Sequence, residues 1–176
     1  MIDLGDPLHA ADTGFVRAGS ADVFALLADP YGYPAFWPAL RTLDHKVGRR
    51  GDGGVELAVG DRWRIRALFG AGGIDVEAEV SDLRSAGEDH HVWMDWRGHL
   101  DPFVGFALKQ RVLEAETEWW VRPWPVAGAA ARGSLVTLFW RVRSVPLRSQ
   151  QRLLAQLRRL GWRGIHGIKC ELERPR

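Results

Sequence analysis

The sequence predicts an α+β fold in which a curved antiparallel sheet of seven strands wraps around one long carboxyl-terminal helix, with two short helices between strands 1 and 2. Three observations lead there. Apolar and polar residues alternate with period two along most of the chain between Leu43 and Val142, the pattern of half-buried strands. From Leu153 onward the apolar spacing becomes helical. Nine tryptophans, more than a small tight core holds, call for a surface or a cavity to line.

The elements follow in order. Phe15-Val16-Arg17-Ala18 can make a short first strand. Ser20 offers an N-cap and Asp22 suits the first turn of a helix whose apolar side is Val23, Phe24, Leu26 and Leu27; Asp29-Pro30 ends it. Tyr33-Pro34 opens a second short helix, which Pro38 limits. Leu43, His45 and Val47 then alternate with Thr42, Asp44 and Lys46, and after the glycine-rich turn at 51–54 the residues Val55, Leu57 and Val59 resume the period.

The clearest hairpin comes next. Trp63, Ile65, Ala67 and Phe69 alternate with Arg62, Arg64 and Arg66, while Ile74, Val76, Ala78 and Val80 alternate with Asp75, Glu77 and Glu79. Antiparallel pairing sets three arginines against three acids and leaves the other face wholly apolar, which fixes the register. Val92, Met94 and Trp96 read as inward on the following strand. Its inversion would instead bring Trp93 and Arg97 inside as a polar centre. Leu113, Ala115, Thr117, Trp119 and Val121 supply one further inward row, and Val136, Leu138, Trp140 and Val142 the last.

Along the final helix Leu153, Leu154, Leu157, Leu160, Ile165, Ile168 and Leu172 oppose Arg148, Arg152, Arg159 and Arg163. Gly161, Gly164 and Gly167 each cost about 1 kcal/mol against alanine in a helix interior. They therefore either kink the helix or let something approach its backbone closely.

Composition narrows the function. One domain over residues 1–176 is the economical count. A net charge of +2 does not call for a nucleic-acid partner. The single cysteine, Cys170, excludes an internal disulfide and suits a reducing compartment. No window approaches the ~18 apolar residues of a membrane span, and acids stand near the amino end where a secretory leader carries basic residues. The expectation is a cytoplasmic protein, monomeric or homodimeric, without integral membrane association. No cofactor is implied. His90-His91 has neither cysteine nor a helical His partner beside it, so no metal site is expected.

One helix cannot fill the concavity of so long a sheet, so a pocket between them is expected, with tryptophans as its walls. Here the chain resembles the START-like, Bet v 1-like superfamily, also called SRPBCC or helix-grip proteins, and within it the bacterial polyketide cyclase/dehydrase-type group. The residues that carry the resemblance are Ser20-Ala21-Asp22-Val23-Phe24-Ala25-Leu26-Leu27-Ala28-Asp29-Pro30, Tyr33-Pro34-Ala35-Phe36-Trp37-Pro38, and Val59-Gly60-Asp61-Arg62-Trp63. The resemblance implies a hydrophobic small-molecule ligand in an internal cavity, polyketide-like or aromatic, with cyclisation or dehydration as the chemistry if the protein is an enzyme. The stretch from Thr117 to Ser134 departs from the simplest members in being longer and more aromatic.

Few polar residues face inward. His45 shares the face of Leu43 and Val47 and can exchange a proton with a ligand near neutral pH, or simply bond a backbone carbonyl at the sheet edge. Thr117 can orient a ligand carbonyl or satisfy itself on nearby backbone. His99, two residues before Asp101, sits where loops would surround a pocket mouth. Expected ligand-lining residues are Trp37, Trp63, Ile65, Phe69 and Val76, then Met94, Trp96, Trp119 and Trp140, with Leu157, Gly161 and Ile165 from the helix. The alternatives from other classes are a non-catalytic lipid or isoprenoid carrier, and an accessory protein-binding domain. The last would show outward Trp93 and Trp120 joined in one apolar patch over a filled interior.

Overall fold

The computed structural model describes residues 7–29, 32–46, 57–69, 72–100, 112–125, 132–143 and 147–174. In chain order these are β1 (Leu8–Val16), α1 (Ser20–Leu27), α2 (Tyr33–Phe36), β2 (Leu40–Lys46), β3 (Arg62–Phe69), β4 (Gly72–Ala86), β5 (Asp89–Leu100), β6 (Val112–Pro125), β7 (Arg132–Arg143) and α3 (Leu147–Leu172). The strands form one seven-stranded sheet, ordered β1-β7-β6-β5-β4-β3-β2, with every neighbour antiparallel.

The β3–β4 register pairs Arg62, Arg64 and Arg66 with Glu79, Glu77 and Asp75, as the alternation requires. Arg62 and Glu79 lie 2.6 Å apart and Arg66 and Asp75 3.3 Å apart, both ion pairs exposed. On the opposite face Trp63, Ile65, Val76 and Ala78 are buried. Charges on one side and apolar groups on the other make a one-residue slip costly. Val92, Met94 and Trp96 are buried and Asp95 and Arg97 exposed, so the strand is not inverted and no Trp93–Arg97 polar centre forms inside.

Three boundaries differ from the sequence reading. The first strand is Leu8–Val16, well ahead of Phe15–Ala18, because residues 8–14 gain a full ladder on β7 although their own pattern is weak. No strand forms at 57–60. There Leu57 and Ala58 are buried, the Ala58 amide donates to the Asp61 carboxylate at 2.6 Å, and a turn leads into β3; Val55 lies outside the described residues. β6 continues past Val121 to Pro125, with Pro123 and Trp124 paired to Ser134 and Gly133.

α3 lies along β1 and also meets β7, α1 and α2. Its glycines serve close approach. A Cβ at Gly164 would sit 3.1 Å from the Trp37 ring, and one at Gly167 would meet the Phe36 carbonyl carbon at 2.5 Å. One at Gly161 would overlap the Asp12 carboxylate. Leu153, Leu157, Leu160, Ile165 and Ile168 are buried on the side of the helix that faces the sheet, while Arg152, Arg159 and Arg163 stay exposed.

Candidate functional site

The inner face of the sheet carries a continuous aromatic cluster. Trp37, delivered by the turn after α2, meets Trp119 edge-to-face at 5.4 Å and Trp140 at 6.2 Å; Trp96 lies 6.3 Å from Trp140, and Tyr33 stands edge-on to Trp63 at 6.1 Å. Trp37 and Trp119 are 0% exposed and Trp63 1%, against 6% for Trp96 and 8% for Trp140. The cluster is tight around Trp37 and loosest at the Trp96–Trp140 end.

Its polar edges are unevenly satisfied. The Trp37 indole donates to the Leu160 carbonyl of α3 at 2.9 Å, and the Trp96 indole donates to the Thr117 hydroxyl at 2.7 Å. Among the described residues the indole N–H groups of Trp63, Trp119 and Trp140 on the inner face, and of Trp120 on the outer face, are buried with no acceptor. Each such donor costs about 1–3 kcal/mol relative to one that keeps a partner. A core shaped for stability alone would use phenylalanine or leucine at these positions.

Among the residues expected to act, Thr117 is 1% exposed on the inner face and accepts the Trp96 bond. As acceptor it keeps its own proton to donate. His45 stands opposite Trp63 in the β2–β3 register, just past an irregularity between Thr42 and Asp44, and its side chain lies outside the described residues. The same holds for the side chain of His99, whose backbone pairs with Asp75 and Val112 within β5; Asp101 is not described. Ile65, Val76, Met94, Leu157 and Ile165 are buried in the cluster with the tryptophans. Gly161 is covered by Asp12, and the Phe69 side chain is not described.

Two further titratable groups are buried: Asp12, which the sequence reading does not single out, and His90, which it considers only as a metal ligand. Asp12, on β1 opposite Leu138, points one carboxylate oxygen into a buried position with no partner. Burial raises its pKa, and the Arg158 cation partly offsets this. His90 is buried against Phe24 of α1 at 4.5 Å and bonds Ser85 at 2.8 Å; burial lowers its pKa. The period-two signal extends to His90, two residues before Val92. For Asp12 that signal was missed because strand 1 was begun too late. His90 and His91 face opposite sides of β5 and cannot chelate one ion together.

His91 belongs to a ladder on the outer face. It stacks on Trp93 at 4.9 Å and on Trp120 at 5.1 Å, Arg84 lies over Trp93, and Arg122 lies over Trp120. The Glu118 carboxylate bonds His91 at 2.9 Å. A groove of about 580 Å³ runs beside it, bordered by Trp93, Glu118 and Phe139. A second groove of about 640 Å³ lies between α2 and α3.

The architecture has close counterparts among solved structures. Those similar to this chain include the Zhui aromatase/cyclase of a Streptomyces species (18% identity over 96% of this chain and 94% of that one, TM-score 0.62). A START superfamily protein of Mycobacterium smegmatis matches at 11% identity over 94% and 97%, TM-score 0.66. A major latex-like protein of Panax ginseng matches at 16% identity over 97% and 100%, TM-score 0.58. No family model matches the chain, and no curated protein matches it by sequence. The fold is the helix-grip fold shared by the START-like and Bet v 1-like proteins. No helix among the described residues is long and apolar enough to cross a membrane.

Proposed function

We propose that the protein binds a hydrophobic, oxygen-bearing small molecule, polyketide-like or aromatic, on the inner aromatic cluster between the sheet and α3. The observation that carries this is the set of three buried indole donors, Trp63, Trp119 and Trp140, with nothing to accept them. A guest with carbonyl or hydroxyl oxygens supplies acceptors, and its flat body suits offset stacking on the rings. Entry runs past Trp96 and Trp140, where the cluster is least closed. Fold alone does not choose the reaction. The catalytic form of the reading is cyclisation or dehydration of that guest, with Thr117 holding an oxygen and His45 or His99 moving a proton. Likeness of fold to an aromatase/cyclase supports that form; a carrier of lipid or isoprenoid needs no titratable group and is insensitive to His45→Ala.

Trp140→Phe keeps an aromatic ring at the position and deletes the indole donor. In the variant a hydroxyanthraquinone probe, followed by tryptophan quenching, should bind about tenfold more weakly. Unchanged probe affinity would refute the role of these donors.

Trp93 and Trp120 are joined through His91 on the outer face, but both rings are half-buried and lie under Arg84 and Arg122, so this ladder is not the apolar patch that an accessory protein-binding domain would show.

A further inference from the structure

We propose that the groove between α2 and α3 is a second site, separate from the inner cluster, that binds an organic oxyanion: a phosphate monoester or carboxylate carried on an apolar body. Its two walls differ in chemistry. One is a stripe of α3 presenting Arg159, Arg163 and His166, and the other is the apolar surface of Phe36, Pro38 and Ala39. At about 640 Å³ the groove accommodates a small organic molecule.

The charges of this wall differ from most of those on the sheet. On the sheet's outer face Arg62, Arg66, Arg97, Arg141 and Arg143 are each paired with a carboxylate. Arg159 and Arg163 have no acidic partner among the described residues. They stand one turn apart, a spacing at which like charges repel, and the helix carries no acid from Leu147 to Cys170. Among the described residues no acid lines the groove, and its third arginine, Arg174, is paired with Glu171 at 3.5 Å. Guanidinium forks grip carboxylate and phosphate oxygens in pairs, so two forks on one wall with an apolar wall opposite select an anion that has a hydrophobic end. The groove is also held in shape, because Gly167 lets the Phe36 backbone rest directly on α3.

The test is titration of the full-length protein with phenyl phosphate, inorganic phosphate and benzyl alcohol, alongside vesicles of phosphatidylcholine with and without phosphatidic acid. Phenyl phosphate should bind more tightly than either fragment, and Arg159→Gln/Arg163→Gln should weaken it by about tenfold or more. Arg152→Gln, exposed on the same helix but outside the groove, should leave it unchanged. Added binding to phosphatidic acid vesicles, lost in the same double variant, identifies a lipid headgroup as a source of the anion; its absence identifies a soluble one. Vesicle binding without phenyl phosphate binding, or phenyl phosphate binding that the double variant does not weaken, overturns the proposal.

Discussion

Replacing Gly167 with alanine separates two opposed effects of known sign. In an exposed helix the change stabilises by about 1 kcal/mol. Here the new Cβ would lie 2.5 Å from the Phe36 carbonyl carbon and 3.1 Å from its Cα, where ordinary contact begins near 3.4 Å. The neighbour is backbone, so no side-chain rotation relieves the overlap, and α2 must withdraw by about 1 Å or more. Phe36 and the adjacent Trp37 are essentially fully buried, and Trp37 holds the Leu160 carbonyl at 2.9 Å. Overpacking costs about 1–3 kcal/mol, and stretching that buried bond a further ~1–3 kcal/mol. After the helix gain the net loss is about 1–5 kcal/mol, which for a chain of this size lowers Tm by roughly 2–20 °C. Differential scanning calorimetry against an exposed reference, Ala155→Gly, reads both terms. A Gly167→Ala protein more stable than the parent would refute the claim that this glycine exists for the α2–α3 contact.

Two further outcomes follow from single side chains. Thr117→Val leaves the buried Trp96 indole without its acceptor and should cost about 1–3 kcal/mol in urea unfolding; a neutral result would mean that the 2.7 Å bond contributes nothing. Asp12 has a folded pKa raised above 3.8 by burial, so the folded state holds its proton more tightly than the unfolded chain does. Its contribution is complete below that value and is lost as pH rises through the raised one. Relative to Asp12→Asn, the parent should therefore lose stability as pH rises from below 3.8 through the raised pKa, and a difference that stays flat or grows with pH would contradict this.

What could be read from sequence was what depends on local chemistry. The β3–β4 hairpin was legible because Arg62, Arg64 and Arg66 demand acids opposite them, and Asp75, Glu77 and Glu79 answer at the right spacing. The long helix was legible because apolar residues recur every three or four positions; its glycines announced a close approach, although not by which element. β1 was read short because Leu8 to Gly14 owe their conformation to the β7 ladder rather than to their own alternation. The alternation of Leu57 and Val59 misled because Asp61 caps a turn there instead. The inner tryptophans followed from parity along each strand, but whether an indole N–H meets an acceptor depends on positions across the core that no spacing rule reaches. Trp96 finds Thr117 and Trp140 finds nothing, although both sit at inward positions. The cationic wall at Arg159 and Arg163 looked like any charged outer face until the pairing of the sheet arginines made its lack of partners visible.

The central claim is that the inner indoles serve a guest and not merely a core. Native mass spectrometry of the protein, purified without denaturation and then given a hydroxyanthraquinone, tests it most directly. A one-to-one complex that is diminished in Trp140→Phe is the predicted spectrum. An unliganded mass at every probe concentration, from a protein that remains folded, would contradict it.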